Sequence, residues 1–273
     1  MAWMLSAMDS HQRLPALHVR SAFLSDIHLG ARECRADLVL QFLRTVQMDE
    51  LYLVGDIVDV WSLRRSFFWP QLHSDVLRTI LGKAKHGTRV IYVPGNHDVE
   101  MRDLTSMVFG NLEVHREIVH TTTRGERLLV MHGDEFEGSV HCSRWLAALG
   151  SGGYDLILGL NRLCNRLRRL CGFPYWSLAT YIKSRVGNAM RYVQRFEQAA
   201  VRIAQQRGLD GIICGHIHRP LLTRFEGVQY CNTGDWVENC TALVETNQGQ
   251  LLLWQLADWT ARQPNAAALQ RAA

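Results

Sequence analysis

The sequence predicts an α/β protein assembled from βαβ units. Three features carry that expectation: apolar runs too short for helices, helix-period segments between them, and metal-capable residues at the ends of five of the runs. Ala22-Phe23-Leu24 ends in Ser25-Asp26-Ile27-His28, and Leu51 to Val54 ends in Gly55-Asp56-Ile57-Val58-Asp59. Val90 to Val93 ends in Pro94-Gly95-Asn96-His97-Asp98, Arg127 to Met131 in His132-Gly133-Asp134, and Gly211 to Cys214 in Gly215-His216-Ile217-His218. In an open α/β sheet the carboxyl ends of the strands are where loops converge and ligands bind.

Residues 1 to 18 read as a flexible leader, with Pro15 ending any local order. A first strand over Val19 to Leu24 delivers Asp26 and His28. An amphipathic helix over Asp37 to Val46, with Leu38, Phe42 and Val46 on one face, leads to the Leu51 strand. After Asp59 comes an aromatic and basic loop containing Trp61, Arg64, Arg65, Phe67 and Phe68. A helix over Gln71 to Lys85 closes at Gly87, as helices prefer. The third strand and Asn96-His97-Asp98 follow. From Asn111 the pattern turns to hairpins, with Leu112 to His120 and Arg127 to Met131 flanking Arg124-Gly125-Glu126.

The segment 138–186 interrupts the sheet pattern. Leu156, Leu160, Leu163, Leu167 and Leu170 recur at spacings of four and three and make one apolar helix face, with Arg162, Arg166 and Arg169 in a parallel stripe. A second helix starts near Trp176 to Lys183, and a long helix over Gly187 to Gln206 returns to the core. Strand Gly211 to Cys214 then delivers His216 and His218. Two hairpins close the fold, Leu221 to Phe225 with Val228 to Asn232 and Ala242 to Thr246 with Leu251 to Gln255, turning at Glu226-Gly227 and Gln248-Gly249. Residues 258–273 read as a flexible tail.

Hydrophobic content of 47% and charged content of 21% over 273 residues describe an ordinary globular composition. The net charge of +4 is mild, yet nine Lys and Arg face two Asp and Glu between His141 and Ala200. No recognition motif accompanies this basic segment, so no nucleic-acid partner is expected. Seven cysteines without a C-x-x-C pair read as reduced thiols and small hydrophobes. No signal peptide and no uninterrupted apolar run of membrane-spanning length are recognised, so a cytoplasmic protein is expected.

Carboxylate or amide oxygens from Asp26, Asp56 and Asn96, with imidazoles from His28, His132, His216 and His218, exceed what one tetrahedral zinc needs. Two ions roughly 3.5–4 Å apart that share one carboxylate would use all seven, and such pairs suit phosphoryl chemistry. Asp59 and Asp98 can also cap the helices that follow them.

In order, Asp26-Ile27-His28, Gly55-Asp56 to Asp59, Gly95-Asn96-His97-Asp98, Met131-His132-Gly133-Asp134 and Gly215-His216-Ile217-His218 resemble the five signatures of the calcineurin-like metallophosphoesterases. The resemblance implies a two-sheet β sandwich flanked by helices, over residues 19–257 with a helical cap insertion at 138–186. It implies one metal held by Asp26, His28, Asp56 and His218, and another by Asp56, Asn96, His132 and His216. The expected ions are two divalent metals, Mn²⁺ foremost, with Fe, Zn or Mg as options. By the same resemblance His97 acts on the transition state, with Asp98 or Asp59 orienting its neighbours.

Within the superfamily, Gly215 to Pro220 and Asn232-Thr233-Gly234-Asp235-Trp236, with the insertion, resemble the UDP-2,3-diacylglucosamine pyrophosphatases of lipid A synthesis. That implies an acylated pyrophosphate substrate split into UMP and 2,3-diacylglucosamine 1-phosphate. Substrate contacts are expected from Asn96, His97, Arg162, Arg166, Arg169, Lys183 and His216, and peripheral contact with the inner membrane from the cap. One position departs, since the best-known members carry Arg where this chain has His97. The rivals are hydrolysis of another phosphodiester, of a nucleotide or a phospholipid headgroup, and a non-catalytic scaffold; retention of all seven ligands speaks against the scaffold.

Overall fold

The computed structural model describes residues 17–136 and 178–255, with backbone alone over 178–189. In chain order the elements are β1 (Leu17–Leu24), α1 (Ala36–Thr45), β2 (Val46–Val54), α2 (Val60–Arg65), α3 (Gln71–Lys85) and β3 (Arg89–Val93). Then come β4 (Val108–Phe109), β5 (Leu112–Val114), β6 (Ile118–Thr121), β7 (Arg127–Val130) and the long helix α4 (Leu178–Gln206). The chain closes with β8 (Gly211–Cys214), β9 (Leu221–Phe225), β10 (Val228–Asn232), β11 (Thr241–Glu245) and β12 (Leu251–Gln255). Of the described residues, those up to 134 and from 203 onward form one compact unit and those between them belong to a second, within which Phe136 and Phe196 meet edge to face.

The first unit holds two mixed sheets. One has the order β12-β11-β1-β2-β3-β5-β4, with β1, β2, β3 and β5 parallel, and the other β6-β7-β8-β10-β9, with β7, β8 and β10 parallel. Strand periodicity sorts the side chains. Ala22, Leu24, Leu51, Leu53 and Val90 join α1 and α3 residues such as Phe42 and Ile80 in the larger core cluster. Phe23, Tyr52, Val54 and Ile91 alternate with them and meet Leu128, Val130 and Ile213 of the second sheet. With both faces covered, the central strands must be apolar throughout, which is why they read as unbroken hydrophobic runs. Each fully buried Phe or Leu contributes about 1.5–3 kcal/mol relative to exposure.

Several elements depart from expectation. α1 passes directly into β2, whose first residues, Val46 to Met48, pair with β1 below the start of β3; only Val46 and Met48 are buried there, so this half lacked a continuous apolar signal. The first part of the aromatic stretch after Asp59 is a short helix, α2, while Phe67 and Phe68 follow it outside any helix. The expected strand Leu112 to His120 is two strands: β5 pairs with β3 in the first sheet and β6 with β7 in the second. His115 to Glu117 carry the chain across. α4 is continuous through Gly187, because one glycine costs a helix only about 1 kcal/mol relative to Ala. The cap residues Leu156, Leu160, Leu163, Leu167, Leu170, Arg162, Arg166 and Arg169 lie outside the described residues, and Lys183 is described by its backbone alone.

Candidate active site

The carboxyl ends of β1, β2, β3, β7 and β8 bring all seven candidate ligands together. Asp26, His28 and His218 offer donor atoms within 4.8 Å of one another, as do Asp56, His132 and His216. Asp56 Oδ2 stands 3.4 Å from His132 Nε2 and 3.9 Å from His28 Nε2, so one carboxylate reaches both groups. Asn96 Oδ1 is 3.3 Å from His132 Nε2, and His216 Nδ1 is 3.3 Å from the same atom.

The local backbone is strained to achieve this. Asp26, His28, Asp56, His216 and His218 all have φ between 52° and 70°, a left-handed conformation costing L-residues about 1–3 kcal/mol each. Main-chain bonds between neighbouring loops hold it: Asp26 N–H donates to Gly55 O at 3.0 Å, His28 N–H to Asp56 O at 2.9 Å, and Gly215 N–H to His132 O at 3.1 Å. The glycines provide clearance. A Cβ on Gly55 would fall 2.2 Å from His132 Nδ1, on Gly95 2.3 Å from Asp56 Oδ1, and on Gly215 2.4 Å from Asp26 Oδ2.

Oxygens behind the imidazoles orient them. His132 Nδ1 donates to Val54 O at 2.9 Å, His28 Nδ1 lies 3.3 Å from Asp59 Oδ2, and His218 Nδ1 lies 3.8 Å from Asp235 Oδ2. Each arrangement leaves Nε2 facing the carboxylates, the pattern that metal-binding histidines use. Burial would push the Asp26 and Asp56 carboxyls up, but the surrounding imidazoles outweigh it, leaving Asp26 well below the usual carboxylate range and Asp56 at about 2. Burial would likewise depress His132, yet Asp56 and Asp26 raise it to about 10. This is a site with anionic oxygens demanding cations. Among the described residues Asp26 Oδ1 and His28 Nε2 are buried without a hydrogen-bond partner. Two buried lone-pair atoms of this kind, one oxygen and one nitrogen, converging with further oxygen and nitrogen ligands, fit divalent metal ions.

His97 and Asp59 stand beside these groups. His97 Nδ1 is 3.0 Å from Asp59 Oδ1, and its Nε2 is 4.0 Å from Asp56 Oδ2. Asp59 also caps α2, accepting from Ser62 N–H at 2.8 Å. Burial raises its carboxyl, but bonds from His28 and His97 bring it well below the usual range. Asp98 takes no part in a cap. It is fully buried and accepts from the N–H groups of Gly95 at 2.6 Å and Ile57 at 2.8 Å, and from the Tyr92 hydroxyl. Its carboxylate fastens the loop after β2 to the loop after β3.

Three supporting residues, Ser25, Tyr92 and Arg102, were not singled out in the sequence. Ser25 Oγ touches the Asp26 carboxylate and lies 2.5 Å from Thr233 Oγ1; Tyr92 reaches Asp98; and Arg102 holds Asp134 through Nη2 at 2.8 Å. Asp235, noticed only as part of a motif, accepts from Val237 and Glu238 N–H groups behind His218.

A sequence profile of the calcineurin-like phosphoesterases matches residues 19–220. The chain is similar to the UDP-2,3-diacylglucosamine hydrolase of Xanthomonas axonopodis pv. citri (strain 306), at 28% identity over 238 residues, covering 81% of this chain and 93% of that protein. It is similar to the proteins of the same name from Sodalis glossinidius (25% identity, 84% of this chain and 95% of that one) and Pseudomonas savastanoi pv. phaseolicola (27%, 83% and 92%). Family profile, paired sheets and the donor set at their carboxyl edge agree: the chain belongs to the calcineurin-like phosphoesterase family and is a metal-dependent hydrolase.

Proposed function

We propose that this protein hydrolyses the pyrophosphate of UDP-2,3-diacylglucosamine, releasing UMP and 2,3-diacylglucosamine 1-phosphate. The substrate reading is supported above all by the near full-length similarity to proteins named for that hydrolysis. The chemistry is supported by two donor groups sharing Asp56.

Asp26, His28, Asp56 and His218 would hold one divalent ion and Asp56, Asn96, His132 and His216 the other, with Mn²⁺ the ion of choice. Bound there, two divalent ions supply a nucleophile at neutral pH and neutralise phosphoryl oxygens. The remaining work falls to the protein. Asp59 holds His97 by Nδ1, leaving Nε2 directed at the site, where it can donate to a phosphoryl or leaving oxygen. Ser25, Asp98 and Asp235 fix the loops so that the donors keep their spacing. Water adds to the uridylyl phosphorus, the bond from that phosphorus to the bridging oxygen breaks, and that oxygen leaves with the sugar phosphate. The leucine face and the arginine stripe of residues 156–170, with Lys183, would receive acyl chains and phosphates; this part rests on the sequence.

Hydrolysis in ¹⁸O-water with Mn²⁺ tests the reading. The label should appear in UMP and not in the diacylglucosamine phosphate. Label in the sugar phosphate would move the attack to the other phosphorus, and no turnover of this substrate alongside cleavage of simple phosphodiesters would overturn the lipid assignment. His97→Ala should keep both ions and its KM while losing about 10²-fold in kcat.

A further inference from the structure

We infer that Trp61 is a positioning residue for His97, its indole fixing the plane in which the imidazole meets the substrate. The inference rests on the role just given to His97.

The two ring centroids are 4.3 Å apart with planes tilted by 35°. His97 also packs perpendicular to His28, centroids 4.7 Å apart and planes at 89°. The bond to Asp59 by itself leaves the imidazole underdetermined. The χ2 torsion of histidine is broad and roughly two-fold, so a hydrogen bond at Nδ1 tolerates swings that carry Nε2 away from the reacting phosphorus. Two rings packed against the imidazole, one tilted by 35° and one perpendicular, restrict that freedom. Rigid support of this kind matters because a misplacement of about 1 Å can cost as much as about 10²-fold in rate.

The helix carrying Trp61 is consistent with this purpose. α2 has six residues and buries none of them, so core packing does not explain it. A helix that short does not persist unaided. It is pinned where it meets the site: Asp59 caps it, Val60 N–H donates to His97 O at 3.0 Å, and Arg64 pairs with Glu100 at 2.7 Å. Trp61 remains 50% exposed, and its ring packs against an imidazole that is itself only 20% exposed. Asp59 therefore fixes His97 twice, by its own bond and by holding the helix that presents the indole.

The test is a double-mutant cycle on the metal-loaded full chain with bis(p-nitrophenyl) phosphate, a diester without lipid or uracil, so the outcome is independent of the natural substrate. W61A should lower kcat about 10-fold with KM within about two-fold. Metal content and melting temperature should stay at wild-type values, and W61F should recover most of the loss. In the H97A background W61A should change kcat by less than about two-fold, because the group it positions is gone. Equal losses in both backgrounds, a rise in KM with kcat intact, or loss of metal in both W61A and W61F would overturn the inference. H97A retaining wild-type kcat would overturn the role of His97 itself, and the inference with it, and is distinguishable from a cycle in which H97A is slow and W61A is not.

Discussion

Asp56 concentrates the demands of the site in one side chain. Its Oδ2 reaches imidazoles of both donor groups, its Oδ1 accepts from His97 N–H at 2.8 Å, and its φ of 56° is held by neighbouring loops. Asp56→Ala should therefore abolish turnover and remove more metal than Asp26→Ala or His132→Ala, each of which serves one group. Metal analysis by mass spectrometry checks this; two equivalents still bound to Asp56→Ala would refute a bridging role. The seven candidate donors that the structure brings together were legible in the sequence because each follows an apolar run that a strand explains. Their support was not. Tyr92 looks like one more strand residue and Ser25 like one more loop hydroxyl until the fold sets them against Asp98 and Asp26. Gly55, Gly95 and Gly215 stand in the sequence only as residues that follow apolar runs, whereas their contribution in the fold is room for a neighbour's carboxylate or imidazole.

Between elements, Asp98 is the fastening. Four backbone N–H groups, of Asp56, Ile57, Val58 and Gly95, lie within 3.4 Å of its oxygens, and the Tyr92 hydroxyl adds a further bond. An amide at this position turns one oxygen into an NH₂ facing donors. Asp98→Asn should then cost about 2–4 kcal/mol of stability and loosen the ends of β2 and β3 together. A fall in the urea midpoint of the metal-free protein checks the expectation; unchanged stability with a loss of kcat alone would make Asp98 catalytic and not structural. Elements with strong periodicity or turn chemistry were legible: α3 with Gly87 behind it, and the β9–β10 hairpin through Glu226-Gly227, both at positive φ. α2 was not, since it buries no residue and carries no apolar period. Nor was the split between β5 and β6, because a change of sheet leaves no pattern when both halves are strand-like.

On the scale of the whole molecule, the sandwich encloses a polar cluster between its sheets. His120 of β6 bonds Glu245 of β11 at 2.9 Å and the Tyr52 hydroxyl of β2 at 2.9 Å, with Glu50 at 3.5 Å. Glu245 also accepts from Arg20 at 2.9 Å and Thr123 N–H at 2.7 Å. Burial works against the charges, yet the bonds prevail: Glu245 falls to about 2, and His120 rises. Glu50, bonded first of all to His120, also falls to about 2. The two signs give a window. Stability from the carboxylates is fully present above their unfolded values, roughly pH 4–5, and is lost as pH falls toward 2. Stability from His120 is fully present below its unfolded value, near about 6.5, and is lost as pH rises through its raised folded value. His120→Ala leaves Glu245 with Arg20 and Thr123 but removes the imidazolium. The difference in unfolding free energy between wild type and His120→Ala should thus be largest near pH 5–6 and shrink on both sides. Taking that difference cancels the metal-site carboxylates, which titrate in both proteins. Urea midpoints from pH 3 to 10 measure it, and a difference that stays flat across that range would mean that His120 is held as a neutral ring and that the sheets meet through packing alone.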